Sequence, residues 1–73
     1  MKVIGEKSIR VKNWVVTIRK MEKAGYYAGT AFSVKRKEYH RWNRYPLFYD
    51  GVHAVDSGIP QYVIKVIEKE TAD

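Results

Sequence analysis

Cations and aromatic side chains alternate over residues 35–45, and this is the segment best suited to chemistry with a partner. The segment reads KRKEYHRWNRY and holds five cations, three aromatic residues and a single acid. Cations neutralise phosphates, arginine forks bind phosphates and guanine edges, and aromatic rings stack on unpaired bases. The pattern therefore predicts a polyanion contact. The predicted contact residues in this segment are Lys35, Arg36, Lys37, Arg41, Trp42 and Arg44.

The same segment has a purely structural interpretation. If residues 33–45 form a helix, Tyr39 and Trp42 share one helical face and can pack on a sheet. The cations would then lie on a solvated face. The two interpretations differ in what they require of Trp42, which is exposed as a stacking platform and buried as a core residue.

Charge is distributed unevenly along the chain. The 73 residues carry a net charge of +6, and residues 7–44 hold eleven cations against two acids. The remainder after residue 44 is acidic on balance. Such a distribution predicts one basic face, which is the electrostatic footprint of a polyanion-binding protein.

Motifs for catalysis are not found. The chain has no cysteine, which excludes disulfides, thiolate zinc sites and cysteine nucleophiles. His40 and His53 are the only histidines, and neither lies in a recognisable nucleophile motif. Asp50, His53 and Asp56 have ligand chemistry at regular spacing, but Asp50-Gly51 indicates a turn rather than a metal-binding helix. We expect no enzyme activity, no metal and no cofactor.

A β-hairpin is the clearest element that could position these residues. Residues 13–20 are rich in β-branched and aromatic side chains, and residues 26–34 read as the return strand. Between them, residues 22–25 end in a glycine and read as the hairpin loop. Gly29 in the return strand indicates a bulge or the close approach of another group. A third strand is expected around residues 3–4 or 9–11.

Two later segments are ambiguous between helix and strand. Residues 33–45 have helical spacing, with Ser33 as a candidate N-cap and Pro46 as the end, although a long strand is the alternative. A short strand is expected from Val52 to Val55. Residues 61–70 favour a strand by their valines and isoleucines, while Pro60 and the spacing of the apolar residues allow a helix.

These elements predict an α+β fold for a single small domain spanning residues 1–73. Its expected architecture is a small, mostly antiparallel sheet with one helix, and a small all-β barrel is the alternative. The predicted core consists of the large apolar residues of the hairpin. They are Trp14, Val16, Ile18, Phe32 and Val34.

The hairpin and the segment that follows it resemble a known DNA-binding arrangement. NWVVTIRK, a loop and YYAGTAF over residues 13–45 are similar to the DNA-binding domain of ethylene-response factors and the arm-binding domains of tyrosine integrases. The resemblance implies a three-stranded sheet braced by one helix, with the sheet entering the major groove. It would place Arg10, Trp14 and Arg19 on the DNA-facing sheet, which adds Arg10 and Arg19 to the predicted contacts.

The favoured function is that of a small basic nucleic-acid-binding protein, with DNA favoured over RNA, in a regulatory role or as an accessory factor of a mobile element. The alternative is an inhibitor or adaptor that docks on an acidic protein surface, and self-association to complete a small core is a third option. The apolar runs are too short to cross a membrane, and the first ten residues have no signal-peptide core. We therefore expect a cytoplasmic protein with no membrane partner.

Overall fold

The chain folds into an antiparallel sheet with one helix packed on one of its faces. This architecture is seen in a computed structural model that describes residues 2–44, 53–54 and 58–72. The strands follow their order in the chain, so each pairs with its sequence neighbours. The elements are β1 (Val3–Val11), β2 (Trp14–Met21), β3 (Tyr27–Ser33), β4 (Glu38–Arg44), β5 (His53–Ala54) and α1 (Gln61–Glu70). The predicted α+β class, with a mostly antiparallel sheet and one helix, is confirmed.

The predicted central hairpin is confirmed. β2 and β3 pair from Trp14 opposite Ser33 to Lys20 opposite Tyr27, without a bulge. The loop is closed by the Met21 amide, which donates to the Tyr26 carbonyl over 3.0 Å. Gly25 has a φ of 81°, a left-handed conformation that favours glycine. The glycine that ends residues 22–25 is therefore there for the left-handed conformation that the loop requires.

The expected third strand is longer than either of its two candidate pieces. β1 runs through both of them and pairs with β2 across a two-residue turn, Lys12 and Asn13. Lys12 takes the left-handed conformation that this tight turn needs, with a φ of 51°. β1 lies at the edge of the sheet, and most of its side chains are exposed.

The helix predicted for residues 33–45 is wrong, and the strand alternative holds only for Glu38–Arg44. Ser33 does act as a cap, because its hydroxyl accepts a hydrogen bond from the Arg36 amide at 3.2 Å. The Lys37 amide donates to the Ser33 carbonyl, which completes one helical turn. Lys37 then has a φ of 58°, which ends the turn, and β4 begins at the next residue. The capping signal was real but closes a single turn between two strands.

The core lies between the sheet and α1. The tryptophans of β2 and β4 are large, and the β3 residues facing the core between them are small. An added Cβ at Gly29 would overlap the backbone of β2 and lie 2.6 Å from a ring carbon of Trp42. The close approach predicted at Gly29 is therefore made by the Thr17 carbonyl and by the Trp42 indole. The buried apolar residues are Trp14, Val16, Ile18, Tyr27, Ala31, Trp42, Ile59, Val63 and Ile67.

The core prediction fails at Phe32 and Val34. Phe32 is paired with Val15, whose side chain points away from the core, and both are only partly buried. Because side chains alternate along a strand, the burial of Ala31 and Ser33 places Phe32 on the opposite face. Trp42 occupies the space over Gly29, and the fully buried Ala31 lies between Val16 and His40 of the neighbouring strands, so this register turns Phe32 to the other face.

The strand favoured for residues 61–70 is also wrong, because α1 occupies this segment. Val63 and Ile67 are fully buried at a spacing of four residues. In a strand, Lys65 would share their face and would have to be buried with them. The helix turns Lys65 to solvent and so avoids that cost, which outweighs the β propensity of the valines and isoleucines.

A hydrogen bond caps the C-terminal end of α1, and two side-chain contacts tie the helix and the segment before it to the sheet. Pro60 precedes its first turn, and at the other end the Thr71 hydroxyl donates to the Ile67 carbonyl over 2.7 Å. Lys7 of β1 forms an ion pair with Glu70 at 2.5 Å. The Arg36 guanidinium donates to the Gly58 carbonyl over 3.2 Å, which ties the segment before the helix to the β3–β4 turn.

The predicted strand from Val52 to Val55 is represented by β5, whose two residues pair with Trp42 and Asn43 of β4. Residues 52 and 55 themselves, with Pro46, Asp50 and Asp56, lie outside the described residues. Within the described part of the chain, no helix is long and apolar enough to cross a membrane.

Candidate nucleic-acid interface

One face of the sheet is not covered by any element in the described part of the chain. Strand pairing aligns its side chains in three rows across β1 to β4. Successive rows are two residues apart along each strand, or roughly 6.7 Å. From the end nearest the β1–β2 turn, the rows are Arg10, Val15, Phe32 and Tyr39; then Ser8, Thr17, Thr30 and Arg41; then Glu6, Arg19, Ala28 and Asn43. We call this surface the open face.

The open face is positively charged. Its charged side chains are three arginines and one glutamate, and each row contains one arginine. Arg19 pairs with Glu6 at 3.0 Å, and both side chains are substantially exposed. Arg41 is exposed and makes no ion pair or hydrogen bond to any described residue. Arg41 is thus available to an outside anion, and Arg19 needs to give up only a weak surface pair.

A shallow groove separates Arg19 from Arg41 on the open face. Its volume is about 370 Å³, and small residues of β3 form its floor. The groove exists because the short Ala28 side chain lies between the longer side chains of Arg19 and Asn43 on the two flanking strands. A groove lined by two guanidinium groups, with Asn43 at its wall, offers donors suited to phosphate oxygens or base edges.

An aromatic pair lies in the first row of the open face. The rings of Phe32 and Tyr39 have centroids 4.5 Å apart and planes tilted by 39°. Tyr39 is 70% exposed, the highest value among the large apolar and aromatic side chains of the described residues. Phe32 supports one side of the tyrosine ring and leaves much of the remainder in solvent.

Further cations lie at the end of the sheet next to this aromatic pair. The β1–β2 and β3–β4 turns meet there, and we call them together the turn end, residues 12–13 and 34–37. Lys35 and Lys37 are exposed. Arg36 is committed to the fold, because it lies over the Trp14 ring at 5.5 Å in addition to binding the Gly58 carbonyl. Lys12 lies over the Tyr62 ring at 4.6 Å.

Two of the predicted contacts point the wrong way. Trp42 is 1% exposed and lies in the core, so it cannot offer a ring face to a base. Arg44 lies two residues further along β4 and therefore faces the same side as Trp42. Its Nε and Nη1 atoms are buried and have no hydrogen-bond partner among the described residues. Arg44 is therefore turned away from the open face, and the phosphate role predicted for it stays a prediction.

The structure thus brings together three of the eight predicted contacts on one surface, Arg10, Arg19 and Arg41, and places the three of residues 35–37 at its edge. It adds residues that the sequence interpretation missed, above all Tyr39 and Phe32. Reading residues 38–44 with a period of two instead of 3.6 would have separated Tyr39 and Arg41 from Trp42. The described residues contain no group of three or more potential metal ligands.

The resemblance to plant and integrase DNA-binding domains implied three residues on a DNA-facing sheet. Arg10 and Arg19 do share the open face, whereas Trp14 is 5% exposed on the opposite, covered face. Comparison of the chain with protein-family models, curated proteins and solved structures gave no match. The resemblance therefore stays a prediction.

Proposed function

We propose that this protein is a small nucleic-acid-binding module that uses the open face of its sheet. The observation that supports this best is the arginine content of that face: three guanidinium groups, of which Arg41 has no protein partner among the described residues. Phosphate oxygens accept the paired donors of a guanidinium group in a planar, bidentate geometry. Three arginines in three adjacent rows would contact successive points along a charged backbone.

The neighbouring side chains support a polar, charged ligand. Ser8 and Thr17 lie side by side, with hydroxyl oxygens 3.3 Å apart, and Thr30 completes the centre of the face. Hydroxyl groups donate to phosphates as well as to base edges. At the turn end, Lys37 is exposed, whereas Lys12 lies over the Tyr62 ring and Lys35 lines a pocket with Trp14 and Tyr62 on the helix side. A ligand that follows the rows would thus meet the arginines of the open face, with Lys37 at its edge.

The proposed test compares removal of charge from the two sides of the molecule. Arg19→Gln/Arg41→Gln removes two charges from the open face, and Lys65→Gln/Lys69→Gln removes two exposed charges from α1. Binding of a mixed-sequence DNA is measured by fluorescence anisotropy over a series of salt concentrations. If each arginine neutralises one phosphate, the slope of log affinity against log salt falls by about 1.5 to 2 for the arginine variant only.

The matched lysine variant distinguishes binding by the open face from nonspecific attraction to the net positive charge of the protein. Equal weakening by both variants would contradict the assignment to the open face. If the unmodified protein binds no nucleic acid even at low ionic strength, where counterion release is most favourable, the proposed function is wrong. An acidic protein surface would then be the better partner class. Circular dichroism of each variant confirms that the fold is retained.

A further inference from the structure

Resting on the proposed function, we propose that the open face selects single-stranded nucleic acid, with Tyr39 as a platform on which an unpaired base stacks. The arginines explain attraction to any nucleic acid and do not by themselves distinguish a single strand from a duplex. Two features of the open face make this distinction. One is the exposed aromatic pair in the first row, and the other is the width of the sheet.

The aromatic pair is built to receive a ring from outside the protein. Tyr39 is directly opposite Phe32 on the neighbouring strand, and the contact between the rings limits the movement of the tyrosine. The exposed part of Tyr39 accounts for 70% of its accessible surface. No other large apolar or aromatic side chain of the described residues is as exposed, and Tyr39 has an arginine in the next row of its own strand. Base stacking on such rings is tolerant of sequence because every base has a π face.

Bases within a duplex cannot use this platform. Each base in a double helix already has neighbours on both faces, so Tyr39 could reach only the base edges or the backbone. An unpaired base has a free face and can lie flat on the ring. Arg41 in the next row of the same strand is positioned to hold a phosphate next to the stacked base. Arg10 lies at the far end of the same row, three strand gaps or about 14 Å away, and donates to the Lys12 carbonyl over 2.8 Å, so it could meet only a more distant part of the strand. Tyr39 and Arg41 are two residues apart on β4, roughly 6.7 Å, and so both point outward.

The width of the sheet also disfavours entry into a duplex groove. Three gaps of about 4.8 Å each separate β1 from β4 by roughly 14 Å, and the major groove is about 12 Å wide. A two-stranded ribbon fits that groove, but four full strands do not. The open face is therefore better matched to a flexible strand laid across it, with the groove between Arg19 and Arg41 available for a further phosphate or base.

The test measures affinity for a single strand of about twelve nucleotides, a length typical of small single-strand-binding domains, and for the duplex of the same sequence. The expected result is tighter binding to the single strand at equal salt. Tyr39→Ala should weaken single-strand binding by about 5- to 150-fold and leave duplex binding unchanged. The salt slope should also stay unchanged, because no phosphate contact is lost. Tyr39→Phe should retain most of the affinity, since the ring remains.

Tyr26→Ala is the matched control, because Tyr26 lies in the β2–β3 loop at the other end of the sheet. Loss of affinity in this variant comparable to that in Tyr39→Ala would overturn the assignment of the stacking site. Equal affinity for single strand and duplex would overturn the inference while leaving the proposed function intact. If the unmodified protein gives no anisotropy change with either the single strand or the duplex, both the inference and the proposed function are wrong.

Discussion

Replacement of Trp42 and Tyr39 by alanine, one at a time, should have opposite consequences for stability and binding. The two residues are three positions apart on β4, so a strand turns them to opposite faces. Trp42 lies in the core against Gly29, whereas Tyr39 lies on the open face. In a helix they would share one face, and both variants would then behave alike.

The magnitudes follow from burial. A buried indole removes about 150 to 250 Å² from water, and truncation of such a residue to alanine costs about 3 to 5 kcal/mol. A chain of 73 residues has a free energy of unfolding of roughly 4 to 11 kcal/mol, so Trp42→Ala should leave little or no folded protein in the less stable part of this range. Tyr39 would lose mainly its contact with Phe32, which is worth about 0.5 to 1.5 kcal/mol.

Urea denaturation followed by far-ultraviolet circular dichroism measures this difference. With a denaturant slope of about 1 kcal/mol per molar, Trp42→Ala should lower the midpoint by about 3 M or abolish the transition, and Tyr39→Ala should lower it by about 1 M. Similar midpoints for the two variants would refute the assignment of β4 as a strand with Trp42 inward. A stable Trp42→Ala protein with impaired DNA binding would restore Trp42 as the stacking residue.

Three further outcomes test other parts of the fold. Gly29→Ala should destabilise the protein by at least about 1 to 3 kcal/mol, seen as a lower melting temperature, because its Cβ would overlap the Thr17 carbonyl oxygen and lie 2.6 Å from a ring carbon of Trp42; an unchanged melting temperature would contradict this packing. Phe32→Ala should cost clearly less than the roughly 3 to 5 kcal/mol of a core phenylalanine, measured by the same melts. The hydrogen bond and charge of Lys7 hold the pKa of Glu70 below its usual value of 4.5. The ion pair therefore stabilises the folded protein above pH 4.5, and this stabilisation is lost as the pH falls through the lowered pKa. Glu70→Gln should therefore show a shallower loss of stability on acidification than the unmodified protein, and identical acid profiles would show that the pair contributes nothing.

Local residue patterns were sufficient to predict an element when they were compatible with only one conformation of the chain. The β2–β3 hairpin was predictable because β-branched residues flank a loop with a left-handed glycine, and pairing in register needs nothing further. Ser33 accepts the amide hydrogen bond expected of a cap, but it closes a turn and not the predicted helix. What the sequence alone could not determine was how far the capped turn continues, since that depends on whether Trp42 finds space over Gly29.

Long-range packing decided the remaining elements. Residues 61–70 favour strands by local preference, yet the apolar face formed by β2, β3 and β4 requires a cover, and α1 supplies it with Lys65 in solvent. Phe32 is more hydrophobic than Ala31, but the register that turns Trp14 and Trp42 into the core turns Ala31 inward and Phe32 to the open face. The candidate site followed from these choices, because the face on which Arg41 lies depends on the register of β4.

The most direct test of the central proposal is a methyl-detected NMR titration of the protein with a single-stranded DNA. Methyl signals distinguish the open face from the core, since Ala28 and Thr30 lie on the open face and Ala31 and Ile67 lie in the core. Binding to the open face predicts large shift changes for Ala28 and Thr30, with contacts between Tyr39 ring protons and base protons, and small changes for Ala31 and Ile67. The largest changes on exposed residues of α1, with the open-face methyls unaffected, would contradict the proposal.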